Sequence, residues 1–418
     1  MAQLSDDCFA FGGPMLSVDA AVELLASRLS VVDGREMVSL SAVDGRVLAS
    51  DLAAPLPLPP FTNSAVDGYA VRGEDLPTST EKTFVVIDLV QAGAAARQAA
   101  EPDKAIRIFT GAPMPAGADT VFMQEDVRIE KQGEVVLPPG LKRGANVRPT
   151  GEDIRQGEVV LKAGQRLRPQ DVALAAALGH TRIEVRRRIR VAVFSTGNEI
   201  VAPGALRGEV QLFDSNRFML TAMLGRLGCE VTDLGILPDD PGTIARTLEG
   251  AASTHDLILA SGGVSTGEAD YVKQAVESVG KLVFWRMAIK PGRPVAMGVI
   301  DGAAFIGLPG NPVASYVTFA YVVRPAIYAL AGARLQMPPA VPVRAAFSYK
   351  KKGGRREYVR AHLRRGADGG LEAVKFPREG AGLLSSLVET DGLVEIGEQA
   401  KGVQPGENVA FLAYSSLV

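Results

Sequence analysis

The rhythm of apolar and polar positions changes along the chain, and the central part has the clearest pattern. From about Arg188 to Ala331, apolar runs such as IRVAVFS and DLILASGG alternate with segments whose apolar residues recur at helical spacing. Strands that alternate with amphipathic helices are typical of a parallel sheet covered by helices on both faces. The sequence therefore predicts a doubly wound, mostly parallel α/β sheet in this region.

The stretches on either side are rich in short predicted strands. Residues 61–147 contain YAVR, TFVVIDLV and AIRIFTG, interrupted by glycine and proline, and the sequence beyond Pro338 combines short strands with Gly-Gly and Asp-Gly turns. Both patterns indicate small β domains, the second of them barrel-like. Near the N-terminus, Ser17 is a suitable cap for a helix that extends to about Leu29.

The order of these patterns predicts four domains, one of them discontinuous. The proline cluster from Pro55 to Pro60 marks a boundary, and a helix is predicted from Pro169 to Leu178. We expect the segments that flank the β-rich stretch to rejoin in space. The predicted domains are an N-terminal linking domain (1–60 and 148–185), an inserted β-rich domain (61–147), an α/β domain (186–335) and a C-terminal β domain (336–418).

Composition and charge exclude several classes of protein. The 418 residues carry a net charge of −2, so nothing favours binding to nucleic acid or to an anionic membrane. Two cysteines and three histidines in separate segments cannot form a disulfide framework or a thiolate zinc site. We see no secretory signal and no apolar run near the roughly 20 residues that span a bilayer. We therefore expect a cytoplasmic protein without a membrane segment.

The stretch ILASGGVSTGEAD, residues 258–270, is the clearest sign of a binding site. Gly262 and Gly263 follow an apolar strand and allow backbone amides to turn toward an anion. Ser265 adds a hydroxyl donor, and Asp270 lies where the next helix is predicted to begin, close to its positive N-terminal end. This segment, called here the diglycine loop from Gly262 onward, is predicted to bind phosphate.

Two further loops follow strands of the same predicted sheet. The first loop is STGNE, residues 195–199, and the third loop is GLPGNP, residues 307–312. Ligands of open α/β sheets bind at the carboxyl ends of the strands, so we expect these loops to meet the diglycine loop. Glu199, Asp239 and Asp270 then lie at one edge. Carboxylates share a site with phosphate when a divalent cation lies between them, which predicts Mg²⁺.

Each of these features also has a simpler interpretation. Asn311 and Pro312 fit the start of a helix, Glu199 fits an exposed loop carboxylate, and the segment 214–216 fits a helix cap. Asp240 adds a further acid beside Asp239. Because several acids and amide donors are predicted at one edge, the functional interpretation is favoured over separate structural ones.

Three more residues extend this prediction. Lys290 in AIKPGRP supplies a cation suited to a phosphate or another oxyanion. Asp67 in NSAVDGYA and Thr110 in TGAPMP lie in loops that also fit ordinary turns. The residues alone thus predict a Mg²⁺-dependent site for a phosphorylated, nucleotide-like ligand.

The chain resembles the molybdopterin molybdenumtransferase family, which includes bacterial MoeA proteins and the E domain of gephyrin. The resemblance extends over nearly the whole chain, in the order that the family shows. The motifs that carry it are PPFTNSAVDGYAVR, IFTGAPMPAGADTV, RPTGEDI, FSTGNEI, FDSNR, LGILPDDP, SGGVSTGEADY, AIKPGRP and GLPGNPVAS.

This resemblance implies an activity and an assembly. Molybdate, as a substrate, is inserted into adenylylated molybdopterin, and AMP is released with the help of Mg²⁺ to give molybdenum cofactor. The resemblance also implies a homodimer whose active site is shared between subunits, and contact with the molybdopterin adenylyltransferase of the preceding step.

The resemblance further implies roles for individual residues. The implied catalytic residues are Asp270, Glu199, Asp239, Asp67 and Asp153, of which Asp270, Glu199 and Asp239 are the implied metal ligands. The implied substrate-binding residues are Gly262, Gly263, Ser265, Ser215, Lys290, Thr110, Pro309 and Pro312. The chain departs from the usual motifs at Val66, Asn198 and Arg293, so no role is carried over to Asn198 or Arg293.

Two other functions are compatible with much of this pattern. The molybdopterin adenylyltransferase shares the α/β domain, but its diglycine loop reads GGTG where this chain has GGVS, and it usually lacks flanking β domains. A non-catalytic scaffold of the same fold is the second alternative. The complete set of acids favours a catalyst over such a scaffold.

Overall fold

The computed structural model describes residues 15–263 and 271–417. These residues form two compact units, each with its own apolar cores. The first unit contains the described parts of Met1–Ser50, Ala163–Arg168 and Ile183–Val418, and the second contains Asp51–Lys162 and Pro169–Arg182.

A six-stranded sheet forms the centre of the first unit. Its strands lie in the order Glu230–Leu237, Arg190–Thr196, Leu257–Ser261, Ala303–Leu308, Pro294–Ile300 and Gly280–Arg286. Of these six strands, only Pro294–Ile300 runs against the direction of the others. The prediction of a mostly parallel α/β sheet is therefore confirmed.

Both faces of this sheet are buried under helices. In the strand Arg190–Thr196, Val191 and Val193 pack into one apolar core, whereas Ala192 and Phe194 pack into the other. Because both faces are buried, the strand reads as a continuous apolar run. Helices Val18–Arg28, Asn216–Arg226 and Pro312–Leu330 lie on the first face, and helices Pro241–Ala252 and Tyr271–Val279 lie on the second.

Two of these helices test expectations from the sequence. Helix Val18–Arg28 begins at the predicted cap, where Ser17 Oγ accepts a hydrogen bond from the Ala20 amide at 3.1 Å. Helix Pro312–Leu330 is long and apolar enough to cross a membrane, which corrects the expectation that no run comes near that length. However, 89% of its most apolar 18-residue stretch is buried within the fold. Such burial is typical of a core helix.

A closed five-stranded barrel follows in the C-terminal part of the first unit. Its strands, in order around the barrel, are Arg356–Arg365, Leu371–Lys375, Val341–Ala345, Asn408–Ala413 and Gly392–Ile396, and the last pairs with the first. The short strand Ile289–Lys290 pairs in parallel with Arg356–Glu357. This pairing brings the end of the central sheet against the barrel.

The second unit contains a six-stranded mixed sheet. Its strands lie in the order Thr120–Met123, Gly68–Val71, Lys104–Ile108, Lys82–Val90, Glu134–Leu137 and Arg128–Lys131. Two short antiparallel pairs join the chain segments around it, Leu52–Ala53 with Val159–Leu161 and Asn63–Ser64 with Val147–Arg148. Helix Pro169–Ala177 completes this unit. The boundaries proposed for four domains remain a prediction.

Short elements complete the described chain. The remaining strands are Arg35–Ser39, Arg182–Arg186, Ile200–Val201, Leu212–Phe213, Tyr349–Lys350 and Gly402–Val403, and the remaining α-helices are Ser385–Val388 and Tyr414–Leu417.

Candidate active site

The carboxyl ends of four neighbouring strands lie level at one edge of the central sheet. Leu237 lies beside Thr196, and Leu308 lies beside Ser261, while the strands that end at Thr196 and Ser261 pair with each other. The first loop, Asp239, the diglycine loop and the third loop follow directly after these residues. The structure therefore brings together the loops that the sequence singled out.

Asp239 holds the first loop in place. Its Oδ1 accepts a hydrogen bond from Thr196 Oγ1 at 2.6 Å, and its Oδ2 accepts one from the Asn198 amide at 3.0 Å. The carboxylate of Glu199 folds back over Gly197, where an added Cβ would lie 2.5 Å from Glu199 Oε2. Gly197 also has a φ of +142°, so a larger residue there would be both strained and obstructed. Glu199 thus belongs to the first loop, and Asp239 contacts that loop from the end of the neighbouring strand.

The diglycine pair has the backbone that a tight turn requires. Gly262 and Gly263 have φ values of +84° and +65°, in the left-handed region. The Gly262 amide donates to Leu308 O at 3.1 Å, which corrects the expectation that this amide faces an anion. Gly263 is exposed. Ser265 and Asp270 lie outside the described residues.

Asn216 joins the diglycine loop to the third loop, a role that the sequence did not reveal. Its Nδ2 donates to Ser261 Oγ at 3.0 Å and to Gly310 O at 2.7 Å, and the residue is only 7% exposed. Ser215, the neighbouring residue that was predicted to bind substrate, is exposed, and its side chain makes no capping hydrogen bond. The asparagine of FDSNR was the one sign of this role in the sequence, but an asparagine at that position also fits a helix cap.

Asn311, predicted as a cap, and Asp240, predicted as a further acid, both occupy helix cap positions. Asn311 occupies the cap position before Pro312, but its side chain makes no capping bond. Asp240 accepts a hydrogen bond from the Thr243 amide at 2.7 Å and is the N-cap of the next helix. Its carboxylate therefore stabilises the helix terminus and is not a further acid of the site. Pro309 and Pro312 are half-buried in the third loop.

Lys290 lies against a buried carboxylate at the barrel. Its Nζ donates to Glu357 Oε2 and to Tyr349 Oη, both at 3.1 Å, and the Tyr349 hydroxyl donates to the same Glu357 oxygen at 2.7 Å. Burial by itself would lower the pKa of Lys290, but the hydrogen bonds to Tyr349 and Glu357 outweigh it and raise that pKa. The ammonium group is therefore held in its charged form.

A cavity of about 190 Å³ opens beside Lys290. Its charged lining residues are Lys290, Arg360, Lys375, Arg378 and Glu379. Lys375 pairs with Glu379 at 3.2 Å. The wall of the cavity contacts the helix that follows the third loop, because Ala381 O accepts a hydrogen bond from the Val313 amide. The cavity thus combines four cations with one carboxylate at the edge of the predicted site.

Arg360 is the most unusual member of this cavity. It is 9% exposed, and it donates through Nε to Ser386 Oγ and through Nη2 to Gly380 O, each at 3.0 Å. No carboxylate among the described residues pairs with it, and burial lowers its pKa. A buried cation with only neutral partners indicates an anion site. The sequence did not reveal Arg360, because a single arginine in a predicted strand gives no local sign of its partners.

The remaining predicted residues lie in the second unit. Asp67 Oδ1 accepts hydrogen bonds from the amide and from Oγ1 of Thr110, both at 2.8 Å. These bonds, the backbone one foremost, lower the pKa of Asp67 and keep it ionised. Asp153 is exposed, and its amide donates to Leu58 O at 3.0 Å. A contribution of Asp67, Thr110 and Asp153 to the site of a second subunit remains a prediction.

Family models match three parts of the chain. The MoeA N-terminal region (domain I and II) matches residues 16–179, the probable molybdopterin binding domain matches 192–329, and the MoeA C-terminal region (domain IV) matches 342–414. Together these models cover most of the sequence and both flanking β regions.

Relatives of similar length match the chain from end to end. A molybdopterin molybdenumtransferase of Haemophilus influenzae is 37% identical over 97% of this chain and 100% of its own, and one of a Nostoc species is 34% identical over 96% and 94%. The crystal structure of the molybdopterin biosynthesis moeA protein of Pyrococcus horikoshii superposes with a TM-score of 0.82, with 31% identity over 96% of this chain and 100% of that chain. The chain therefore belongs to the MoeA family, that of the molybdopterin molybdenumtransferases.

Proposed function

We propose that this protein inserts molybdate into adenylylated molybdopterin, with Mg²⁺-dependent release of AMP, and so forms molybdenum cofactor. The observation that carries the proposal is the meeting of carboxylates, a glycine-rich loop and a cationic cavity within one unit. The names of the relatives, molybdopterin molybdenumtransferase, support the same class of substrate.

The donor atoms at the sheet edge fit Mg²⁺. Each oxygen of Asp239 accepts one hydrogen bond and keeps a further lone pair, while Glu199 is exposed. The described residues contain no cluster of three potential metal ligands, but Mg²⁺ typically binds through one or two carboxylates together with substrate phosphates. Glu199, Asp239 and Asp270 would hold the ion, which supplies positive charge at the phosphoryl oxygens.

The chain's own residues can divide the work of breaking the anhydride. In this hydrolysis, the oxygen of a water molecule bonds to one of the two anhydride phosphorus atoms while the bridging P–O bond to that atom breaks. AMP and the terminal phosphate of molybdopterin separate as the two products, and the water gives up a proton. We assign Asp270 to the orientation of that water through its motif, with Glu199 as the second acid able to accept its proton. The exposed turn at Gly263 and the helix that follows provide amides for the developing charge.

The cationic cavity is suited to the second substrate. Molybdate is a tetrahedral dianion, so cationic side chains that face the cavity are suited to bind it. Among the described residues, the hydrogen-bond partners of Arg360 are all neutral, and Lys290 faces the same cavity. We assign these two residues to molybdate; tungstate has a similar size and charge, so titration of each oxyanion in the same assay decides between them.

We further propose a cytoplasmic homodimer in which Asp67, Thr110 and Asp153 of one subunit complete the site of the other. The motif resemblance supports this assignment, because these residues belong to regions outside the central sheet. An encounter with the molybdopterin adenylyltransferase would deliver the adenylylated substrate directly.

A reconstitution assay tests the function. Purified protein is mixed with adenylylated molybdopterin, Mg²⁺ and molybdate, and AMP is followed by chromatography. We expect AMP release that depends on both ions, and AMP release unaffected by molybdate would contradict the proposal. Pyrophosphate formed from ATP and molybdopterin in the same preparation would instead indicate an adenylyltransferase.

A further inference from the structure

Glu357 is a buried carboxylate without a role in the chemistry described so far. It is 1% exposed, and its Oε2 accepts hydrogen bonds from Lys290 Nζ at 3.1 Å and from Tyr349 Oη at 2.7 Å. Its Oε1 has no hydrogen-bond partner among the described residues, although Arg355 Nη2 lies 3.6 Å away. Buried carboxylates in proteins are paired with cations, and Lys290 is the cation that Glu357 contacts through a hydrogen bond.

Several cations lie around Lys290, and Glu357 offsets their effect on its ammonium group. Among the described residues, other charged groups lie around this pair. Arg355 and Lys351 interact with Glu357, and the cavity beside Lys290 is lined by Arg360, Lys375, Arg378 and Glu379. Neighbouring cations and partial burial both disfavour a charged ammonium group. Glu357 is the carboxylate that bonds Lys290 directly, so it offsets both effects.

We propose that Glu357 is a positioning residue for the oxyanion site, which acts by keeping Lys290 charged and by directing its ammonium group into the cavity. The parallel pairing of Ile289–Lys290 with Arg356–Glu357 fixes the two side chains next to each other. Tyr349 completes the arrangement, because its hydroxyl contacts both charged groups. This inference rests on the proposed function, in which Lys290 receives molybdate.

The first test measures the ionisation of Lys290 without any ligand. Full-length protein is labelled with ¹³Cε-lysine, the Lys290 signal is identified by its loss in Lys290→Arg, and the pKa is followed by NMR. We expect the Lys290 pKa to lie above the ordinary lysine value in the wild type and to fall in Glu357→Gln. The matched control, Glu379→Gln, removes a charge from the same cavity and leaves the Lys290 pKa nearly unchanged.

The second test measures molybdate binding by calorimetry at pH 7 and pH 9.5. We expect the wild-type Kd to change by less than about twofold, and that of Glu357→Gln to rise by about tenfold as Lys290 loses its proton. A wild-type Lys290 pKa at or below the ordinary value would overturn the inference even if the variant fails to fold. If the Kd of the two proteins depends on pH in the same way, the role of Glu357 is overturned but the proposed function stands. If the wild type binds no molybdate, both the oxyanion assignment and this inference are overturned.

Discussion

The side-chain amide of Asn216 donates to the carbonyl oxygen of Gly310 at 2.7 Å while it also donates to Ser261 Oγ. One residue at the start of a helix therefore joins the end of one strand to the loop that follows the neighbouring strand. Gly310 also approaches the diglycine pair closely, because an added Cβ would lie 3.8 Å from Gly262 Cα. This bridge and the hydrogen bond from the Gly262 amide to Leu308 O therefore both tie the two loops together.

Removal of the bridge should impair activity more than folding. In Asn216→Ala, Gly310 O and Ser261 Oγ lose a buried donor, and we expect kcat/KM for adenylylated molybdopterin to fall by about tenfold to a hundredfold. The matched control is Asn311→Ala in the third loop, whose side chain makes no capping bond. AMP release under steady-state conditions checks both, and equal losses in the two variants would contradict the bridging role.

Adjacent acids after one strand should behave in opposite ways. Asp239→Asn keeps the shape of the side chain but removes a charge and one acceptor from the first loop, and we expect AMP release to fall by about a hundredfold or more. Asp240→Asn preserves a good helix cap and should leave activity within about twofold. Circular dichroism verifies the fold of each variant, and an active Asp239→Asn would exclude Asp239 from the reaction.

Arg360 should contribute to molybdate binding more than to stability. In Arg360→Met, a buried cation without a carboxylate partner is replaced by an apolar chain, so the free energy of unfolding should change by less than about 1.5 kcal/mol. The KM for molybdate should rise by about tenfold or more. Arg378→Met, an exposed residue of the same cavity, is the control. A KM that stays constant in Arg360→Met would assign the oxyanion to another place.

A site shared between subunits can be tested by complementation. Asp67→Asn and Asp239→Asn are each expected to be inactive, but their co-expression produces hybrid dimers in which one of the two sites is intact. About a quarter of wild-type activity should then return. The pair Glu199→Gln and Asp239→Asn places both changes in the same unit and should show no recovery, and recovery there would argue against a shared site.

Asp88 should make the stability of the protein depend on pH. A hydrogen bond from the Leu89 backbone, followed by those from Arg97, lowers the pKa of Asp88 to about 2 from an ordinary 3.8. A carboxyl group whose pKa is lowered by folding stabilises the folded state at pH values above its ordinary pKa. That contribution is lost as the pH falls through the folded-state pKa. Asp88→Asn should therefore be less stable than the wild type at pH 7, with a difference that disappears toward pH 2. Urea unfolding at several pH values measures this, with the exposed Asp126→Asn as control.

The sequence predicted those parts of the fold that depend on local pattern. The strand Arg190–Thr196 and the capped helix after Ser17 follow from apolar spacing and from a single hydroxyl. The meeting of the first, diglycine and third loops followed from the rule that parallel strands present their carboxyl ends at one edge. These predictions required no knowledge of distant contacts.

Residues whose roles depend on tertiary pairing could not be predicted in this way. Arg360 and Glu357 look like ordinary polar positions in a barrel strand until Ile289–Lys290 pairs beside them. Asn216 fits a helix cap equally well, and only the approach of Gly310 gives its amide a second partner. The commitment of the Gly262 amide to Leu308 likewise depends on the register of the sheet.

The two-residue pairing of Ile289–Lys290 with Arg356–Glu357 also limits how the chain can evolve. Successive residues of a strand point to opposite sides, so a slip of one position would turn Lys290 away from its carboxylate. The sequence of the cavity residues could then be unchanged, yet the cavity would lose the ammonium group of Lys290. Insertions or deletions between Arg286 and Pro294 should for this reason be tolerated far less than substitutions in the same turn.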